Sequence, residues 1–130
     1  MNRKKGTEKG LISCHVKANE TETSFTPHFD KWGGEPCQGL QLLVTNPESY
    51  KPYYTTLAMI QEVMGAWPDQ FSWLPPPYEY EFEKLPFDII TGDEAIRKGL
   101  EAGRDLDDLE AGWQAELEGF LAQRRQYLLY

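Results

Sequence analysis

No stretch of about eighteen consecutive apolar residues occurs in the chain, so none of it reads as a transmembrane helix. Cysteine is scarce: Cys14 and Cys37 make no disulfide framework, and the plain expectation is two free, buried thiols. With His15 and His28 they are the only soft ligands, spaced in no compact zinc pattern, so no metal is expected. A nucleophilic pair of Cys37 and His28 lacks a third group to orient it. There is no glycine-rich phosphate loop, no nucleophile elbow and no basic aromatic patch. Positive charge is short as well, with 13 Lys and Arg against 21 Asp and Glu. Residues 79–118 concentrate the deficit: thirteen acids face Lys84, Arg97, Lys98 and Arg104, a balance of −9. Such a surface repels phosphate backbones and excludes nucleic acid as an expected partner. The start, MNRKKGTEK, is basic, but no apolar core of a signal peptide follows it, so the chain as written is expected in the cytoplasm.

What is there suffices for a folded domain. Its 130 residues are 40% hydrophobic and 13% aromatic, enough for one core without metal or disulfide staples. Residues 1–10 read as a disordered start and LISCHVK, residues 11–17, as a short strand. A polar stretch follows, then SFTPHFDKWGGEPCQG, residues 24–39, a structured loop dense in proline, glycine and rings. LQLLVT, residues 40–45, suits a strand buried on both faces. Asn46-Pro47 opens a turn, and Pro52 fits the first position of a helix whose Tyr53, Leu57, Ile60 and Met64 form one stripe. Thr91-Gly92-Asp93-Glu94 reads as a capping box for a second helix, with Ile96 and Leu100 inward and a stop at Gly103. Asp105 caps a third, with Leu106, Leu109, Trp113, Leu117, Phe120 and Leu121 on a core-facing side. The tail YLLY is expected to dock on the core or join the sheet. Strands first and helices later predict an α+β fold, a small sheet with about three helices packed on it in a single domain.

PPPYEYEFEKLPFD, residues 75–88, alternates rings with acids. Read as an extended strand, it puts Glu79 and Glu81 on one face with Cα atoms roughly 6.8 Å apart. That separation permits a glycosidase-like carboxylate pair. The same pattern describes a half-buried strand with a solvated acidic face, and Tyr78 and Tyr80 are equally sugar-stacking or packing rings. Composition and spacing leave these readings open.

The run SFTPHFDKWGGEPCQGLQLLVTN carries a more specific signal. Phe25, Pro27, Phe29, Lys31, Gly34, Cys37, Gly39, Gln41, Val44 and Thr45 match a pattern found in the C-terminal domain of the exo-β-N-acetylmuramidase (NamZ, YbbC-like) family. PPYEYEFEKLPFDIITGDEAIRKGLEAG and the ending RRQYLLY are similar to that family in the same order. The resemblance covers residues 11–130, leaving 1–10 unmatched. It implies a glycoside hydrolase that removes terminal N-acetylmuramic acid from peptidoglycan fragments. It also implies a cleft between this domain and an N-terminal Rossmann-like domain that carries the proposed catalytic acid. This chain is therefore expected to be the accessory half, catalytically silent alone, or else a non-catalytic muropeptide-binding or protein-interaction module. The implied partners are a muropeptide or muramic-acid glycan and an N-terminal domain in trans, with no cofactor and no membrane; export of a longer parent stays open. The implied cleft-lining residues are Pro27, Phe29, Lys31, Trp32, Cys37, Tyr78, Glu79 and Tyr80. Among them Lys31 would meet the lactyl carboxylate, and Phe29 or Trp32 would stack on a sugar ring. The alternative is that the prolines and glycines shape the loop while Phe25 and Phe29 plug apolar surfaces.

Overall fold

A computed structural model describes residues 18–29 and 31–129. The strand expected over 11–17, with Cys14 and His15, lies outside the described residues. The α+β expectation holds: among the described residues the elements are a two-stranded antiparallel sheet and four α-helices. They fall into two compact units, Met1–Pro52 and Tyr53–Tyr130.

In the first unit β1 (Ala18–Phe25) pairs with β2 (Cys37–Val44), from Ala18 opposite Val44 to Phe25 opposite Cys37. β1 corrects the reading of its segment as a polar connection. Thr21, Thr23 and Phe25 alternate along it, and β-branched and aromatic residues suit a pleated ladder even where flanking positions are charged. β2 is a strand as expected, but not one buried on both faces. Leu40, Leu43 and Val44 keep 42%, 62% and 36% of their surface exposed. Among the described residues β2 has only β1 as a neighbour, and a two-stranded ribbon has no interior strand. A single 3-10 turn, Pro47–Ser49, follows.

The second unit holds α1 (Pro52–Ala66), α2 (Pro86–Thr91), α3 (Glu94–Glu101) and α4 (Leu106–Arg124). Pro52 opens α1 as its fixed φ favours, and the stripe turns Leu57 fully inward with Ile60 and Met64 beside it. Leu57, Ile96, Leu100 and Leu109 form the buried centre, each contributing about 1.5–3 kcal/mol by leaving water. α3 and α4 meet at Gly99, where a Cβ would stand 2.5 Å from Leu109 Cδ2. Only a missing side chain permits that approach.

α2 was not expected, because six residues make less than two turns of periodicity. Pro86 sits in its first turn, and Gly92 ends it at φ 82, its N–H donating to Asp88 O at 3.0 Å. The capping box is corrected as a consequence. Thr91 belongs to the end of α2 and donates to Phe87 O, while Asp93 caps α3 by accepting the Ala95 N–H at 2.8 Å. Asp105 caps α4 in the same way through Asp107 N–H. Arg97 ties α2 to α3: its Nε is 2.8 Å from Asp88, and its Nη1 is 3.1 Å from Glu101. These partners, Asp88 first, hold the guanidinium even more firmly protonated than usual. Glu101 also accepts from Trp73 Nε1 at 2.8 Å, which pins the Phe71–Trp73 edge-to-face pair and the contact of Trp73 with Phe87.

α4 departs from its expected stripe halfway along. Leu109 is buried and Leu106 and Trp113 pack on the core, but Leu117, Phe120 and Leu121 are exposed. In the tail Tyr127, Leu128 and Leu129 are exposed, Leu129 at 95%, so none of the three is buried in the core. Helical spacing fixes which residues share a face, and only neighbouring elements decide how far that face is covered. Among the described residues no helix is long and apolar enough to cross a membrane.

Candidate functional site

Residues 26–36 connect the two strands, and two backbone bonds close the connection. Gly34 N–H donates to Pro27 O at 2.8 Å, and Glu35 N–H donates to Trp32 O at 3.0 Å. Ser24 Oγ to Gln38 Oε1, 2.9 Å, joins the strand ends below it. Phe25 lies across Gly39, where a Cβ would come within 2.9 Å of the ring. Cys37 is a free, half-buried thiol whose Sγ points to Glu35 O at 3.6 Å, and Pro27 is half-buried. Phe29, Lys31 and Trp32 face solvent, the two rings with 83% and 67% of their surface accessible. Phe25 and Phe29 therefore plug no core among the described residues. Trp32 has φ 63, a left-handed backbone that costs a bulky residue about 1–2 kcal/mol. Strain held at an exposed ring motivates a search for function there.

The acidic aromatic strip is not an extended strand. Residues 78–81 form a tight turn in which Tyr78 N–H donates to Glu81 O at 2.9 Å and Glu81 N–H to Tyr78 O at 3.0 Å. Glu79 occupies the first corner at φ 51, and Tyr80, at the second, is 94% exposed. The Glu81 carboxylate folds back to accept Glu83 N–H at 2.8 Å and Lys84 N–H at 3.2 Å. Those amides hold its carboxyl below the usual range. The shared face assigned to Glu79 and Glu81 is thus corrected: one stands at a turn corner, and the other is engaged by its own backbone. Three consecutive prolines had already broken the strand signal, since proline donates nothing to a ladder.

Of the residues singled out from sequence, five lie in or beside the hairpin connection and three in this turn of the helical unit. A third feature escaped sequence reading. Tyr53 on α1, Thr91 at the end of α2 and Gly92 after it, the Asp93 cap and Ile96 of α3, and Trp113, Glu116, Leu117 and Phe120 on α4 line an open groove of about 590 Å³. Tyr53 meets Trp113 edge-on, centroids 5.2 Å apart, and its hydroxyl donates to Thr91 O at 3.4 Å. Burial, then the Asp93 charge, pushes the Tyr53 phenol upward. A recess of about 150 Å³, reaching Arg104 and Asp108, adjoins it through Asp93, Ile96, Trp113 and Glu116. The α4 stripe did contain these rings, but its spacing reads the same for core and groove. Among the described residues no three His, Cys, Asp or Glu side chains converge as a metal site requires.

Fold and surface together define a small α+β module that presents rings and charges from strained turns on well-capped secondary structure. The chain belongs to the family of exo-β-N-acetylmuramidase NamZ C-terminal domains, whose family model matches residues 14–130. It is 30% identical over 124 residues to the peptidoglycan β-N-acetylmuramidase NamZ of Bacillus subtilis (strain 168). That match takes in 95% of this chain and 28% of the relative, so the chain spans little more than a quarter of the relative's length. No solved structure matches it significantly.

Proposed function

We propose that the chain is the substrate-facing accessory part of a peptidoglycan β-N-acetylmuramidase, completing a cleft with an N-terminal domain and cleaving nothing alone. The observation that carries this reading, beside family membership, is the hairpin connection with Phe29, Lys31 and Trp32 outward and Trp32 under strain. An exposed ammonium on the same connection as two exposed rings matches a pyranose bearing a carboxylate: Trp32 or Phe29 stacks on the ring and Lys31 meets the lactyl group of muramic acid. Pro27 and Cys37 shape the connection, and Tyr78, Glu79 and Tyr80 supply a second rim. The turn at 78–81 supports silence in isolation. Glu81 is occupied by amides and poses no acid–nucleophile pair with Glu79.

Titration with N-acetylmuramic acid followed by amide NMR tests the binding claim. Saturable shifts in residues 26–36 are expected, with Lys31→Ala weakening binding about three- to tenfold and added salt weakening it further. Release of a chromogenic muramic-acid glycoside by the chain alone would overturn the silent-domain claim. A second reading, a protein-interaction module, draws on exposed Leu117, Phe120 and Leu121, since contiguous apolar surface marks contact sites. Co-sedimentation with the N-terminal domain of a family member, abolished by Phe120→Asp, is its expected signature.

A further inference from the structure

The groove between α1, α3 and α4 carries a different charge from the hairpin connection. Its lining includes the rings of Tyr53, Trp113 and Phe120 and the carboxylates of Asp93 and Glu116, with no Lys or Arg. Among the described residues the Glu116 carboxylate has no hydrogen-bond or ion-pair partner. Arg104 lines the smaller recess alongside, Lys84 lines another that shares Gly92 and Asp93, and Asp93 also caps α3, so Glu116 is the carboxylate left to act over the aromatic floor. Its volume of about 590 Å³ falls in the range of small-ligand sites, about 300–1,000 Å³.

We propose that this groove binds an aminohexose with a free, protonated amine, and discriminates against N-acetylated and anionic sugars. The sugar part rests on the peptidoglycan reading above; the charge part rests on the groove alone. Exposed rings accept the C–H face of a pyranose, and a cation beside them gains from both the ring quadrupole and the carboxylates. A muramic-acid carboxylate would meet Asp93 and Glu116 as like charges. The groove and the hairpin connection thereby divide the two charge types of an amino-sugar polymer: cationic rings to the groove, anionic rings to Lys31.

The test titrates D-glucosamine, N-acetylglucosamine and N-acetylmuramic acid separately into the whole chain, reading the Trp113 indole and the Ile96 and Glu116 amides by NMR. Glucosamine is expected to shift these signals saturably and to bind at least about fivefold tighter than N-acetylglucosamine. Glu116→Gln should weaken glucosamine about two- to fivefold, the scale of an exposed ion pair, while Glu118→Gln, outside the groove, leaves it unchanged. Equal or tighter binding of N-acetylglucosamine, or no saturable shift at all, overturns the proposal. The two readings fail separately. Loss of the muramic-acid response in residues 26–36 would sink the hairpin assignment, whereas loss of the glucosamine response at Trp113 would sink this one.

Discussion

Residues 53–130 close Leu57, Ile96, Leu100 and Leu109 into a centre from which water is excluded, while the β1–β2 hairpin leaves Phe25, Phe29, Trp32, Leu40 and Leu43 in the open. The hairpin is held by its ladder, by the Ser24–Gln38 side-chain bond and by the closures at Gly34 and Glu35. The contrast separates two jobs that many folds mix. Stability resides in the helical packing, and the proposed recognition surface resides where side chains can be exchanged at little folding cost. Substitutions should therefore sort by unit, and the widest gap is expected between two leucines. Leu100→Ala removes a side chain that is 3% exposed and should cost about 2–5 kcal/mol in urea unfolding. Leu43→Ala, on a residue 62% exposed, should stay within about 0.5 kcal/mol. Equal midpoint shifts for the two would break the comparison.

Two glycines offer a finer version. A Cβ at Gly99 meets Leu109 Cδ2 at 2.5 Å, and Leu109 is 5% exposed, so it can give way only by repacking. A Cβ at Gly39 meets the Phe25 ring at 2.9 Å, but that ring is half in solvent and can swing aside. Gly99→Ala is expected to cost about 1–3 kcal/mol and Gly39→Ala under about 1 kcal/mol, compared by thermal or urea unfolding. A larger loss at Gly39 would mean that Phe25 is fixed by something other than its own strand.

The same division explains what could be read from the residues alone. The α1 and α3 stripes, Pro52 at the start of α1 and the Asp105 cap were all legible, because helix periodicity and capping chemistry are local. β1 was not, since ANETETSF becomes a strand only through its partner 12 or more residues on. α2 was too short to show a period, and missing it displaced the α3 cap from Asp93 to Thr91. The alternation in YEYEFE counterfeited a strand: period-two patterning states which side chains would share a face if the backbone were extended, and Glu79 at φ 51 is not. In the candidate site, the family pattern marked the hairpin connection, while the groove stayed hidden. Its walls come from three separate segments, and Trp113, Leu117 and Phe120 obey the same spacing as core residues.

Strain at the two turn corners gives a prediction of opposite sign. Trp32 and Glu79 hold left-handed backbone at φ 63 and φ 51. Glycine would relieve about 1–2 kcal/mol of steric cost while adding about 0.5–1 kcal/mol of unfolded-state entropy. Glu79→Gly is thus expected to stabilise the helical unit by about 0.5–1 kcal/mol. Trp32→Gly should leave the urea midpoint unchanged or raised while abolishing the muramic-acid response of residues 26–36. A destabilised Trp32→Gly would show the indole to be a packing residue and remove the main argument for the hairpin as a sugar-facing surface.

The smallest expected effect concerns a tyrosine of the helical unit. Tyr54 donates its hydroxyl to Asp107 Oδ1 at 2.9 Å, and its pKa is raised from 10.0 to about 12. Desolvation is the first cause, followed by the hydrogen bond to Asp107 and the charges of Asp107, Asp105 and Glu110. All five disfavour a phenolate, which could no longer donate and would stand against acids at the start of α4. Because the folded value lies above the unfolded one, the contribution to stability is complete below about pH 10. It is lost progressively as pH rises toward about 12. Absorbance titration of phenolate should show a latest step, beyond the raised Tyr53, that Tyr54→Phe removes and Asp107→Asn brings earlier. If the late step survives in Tyr54→Phe, the bond between α1 and the first turn of α4 is not formed in solution. The packing that distinguishes the helical unit from the hairpin would then be looser at that corner than its buried leucines imply.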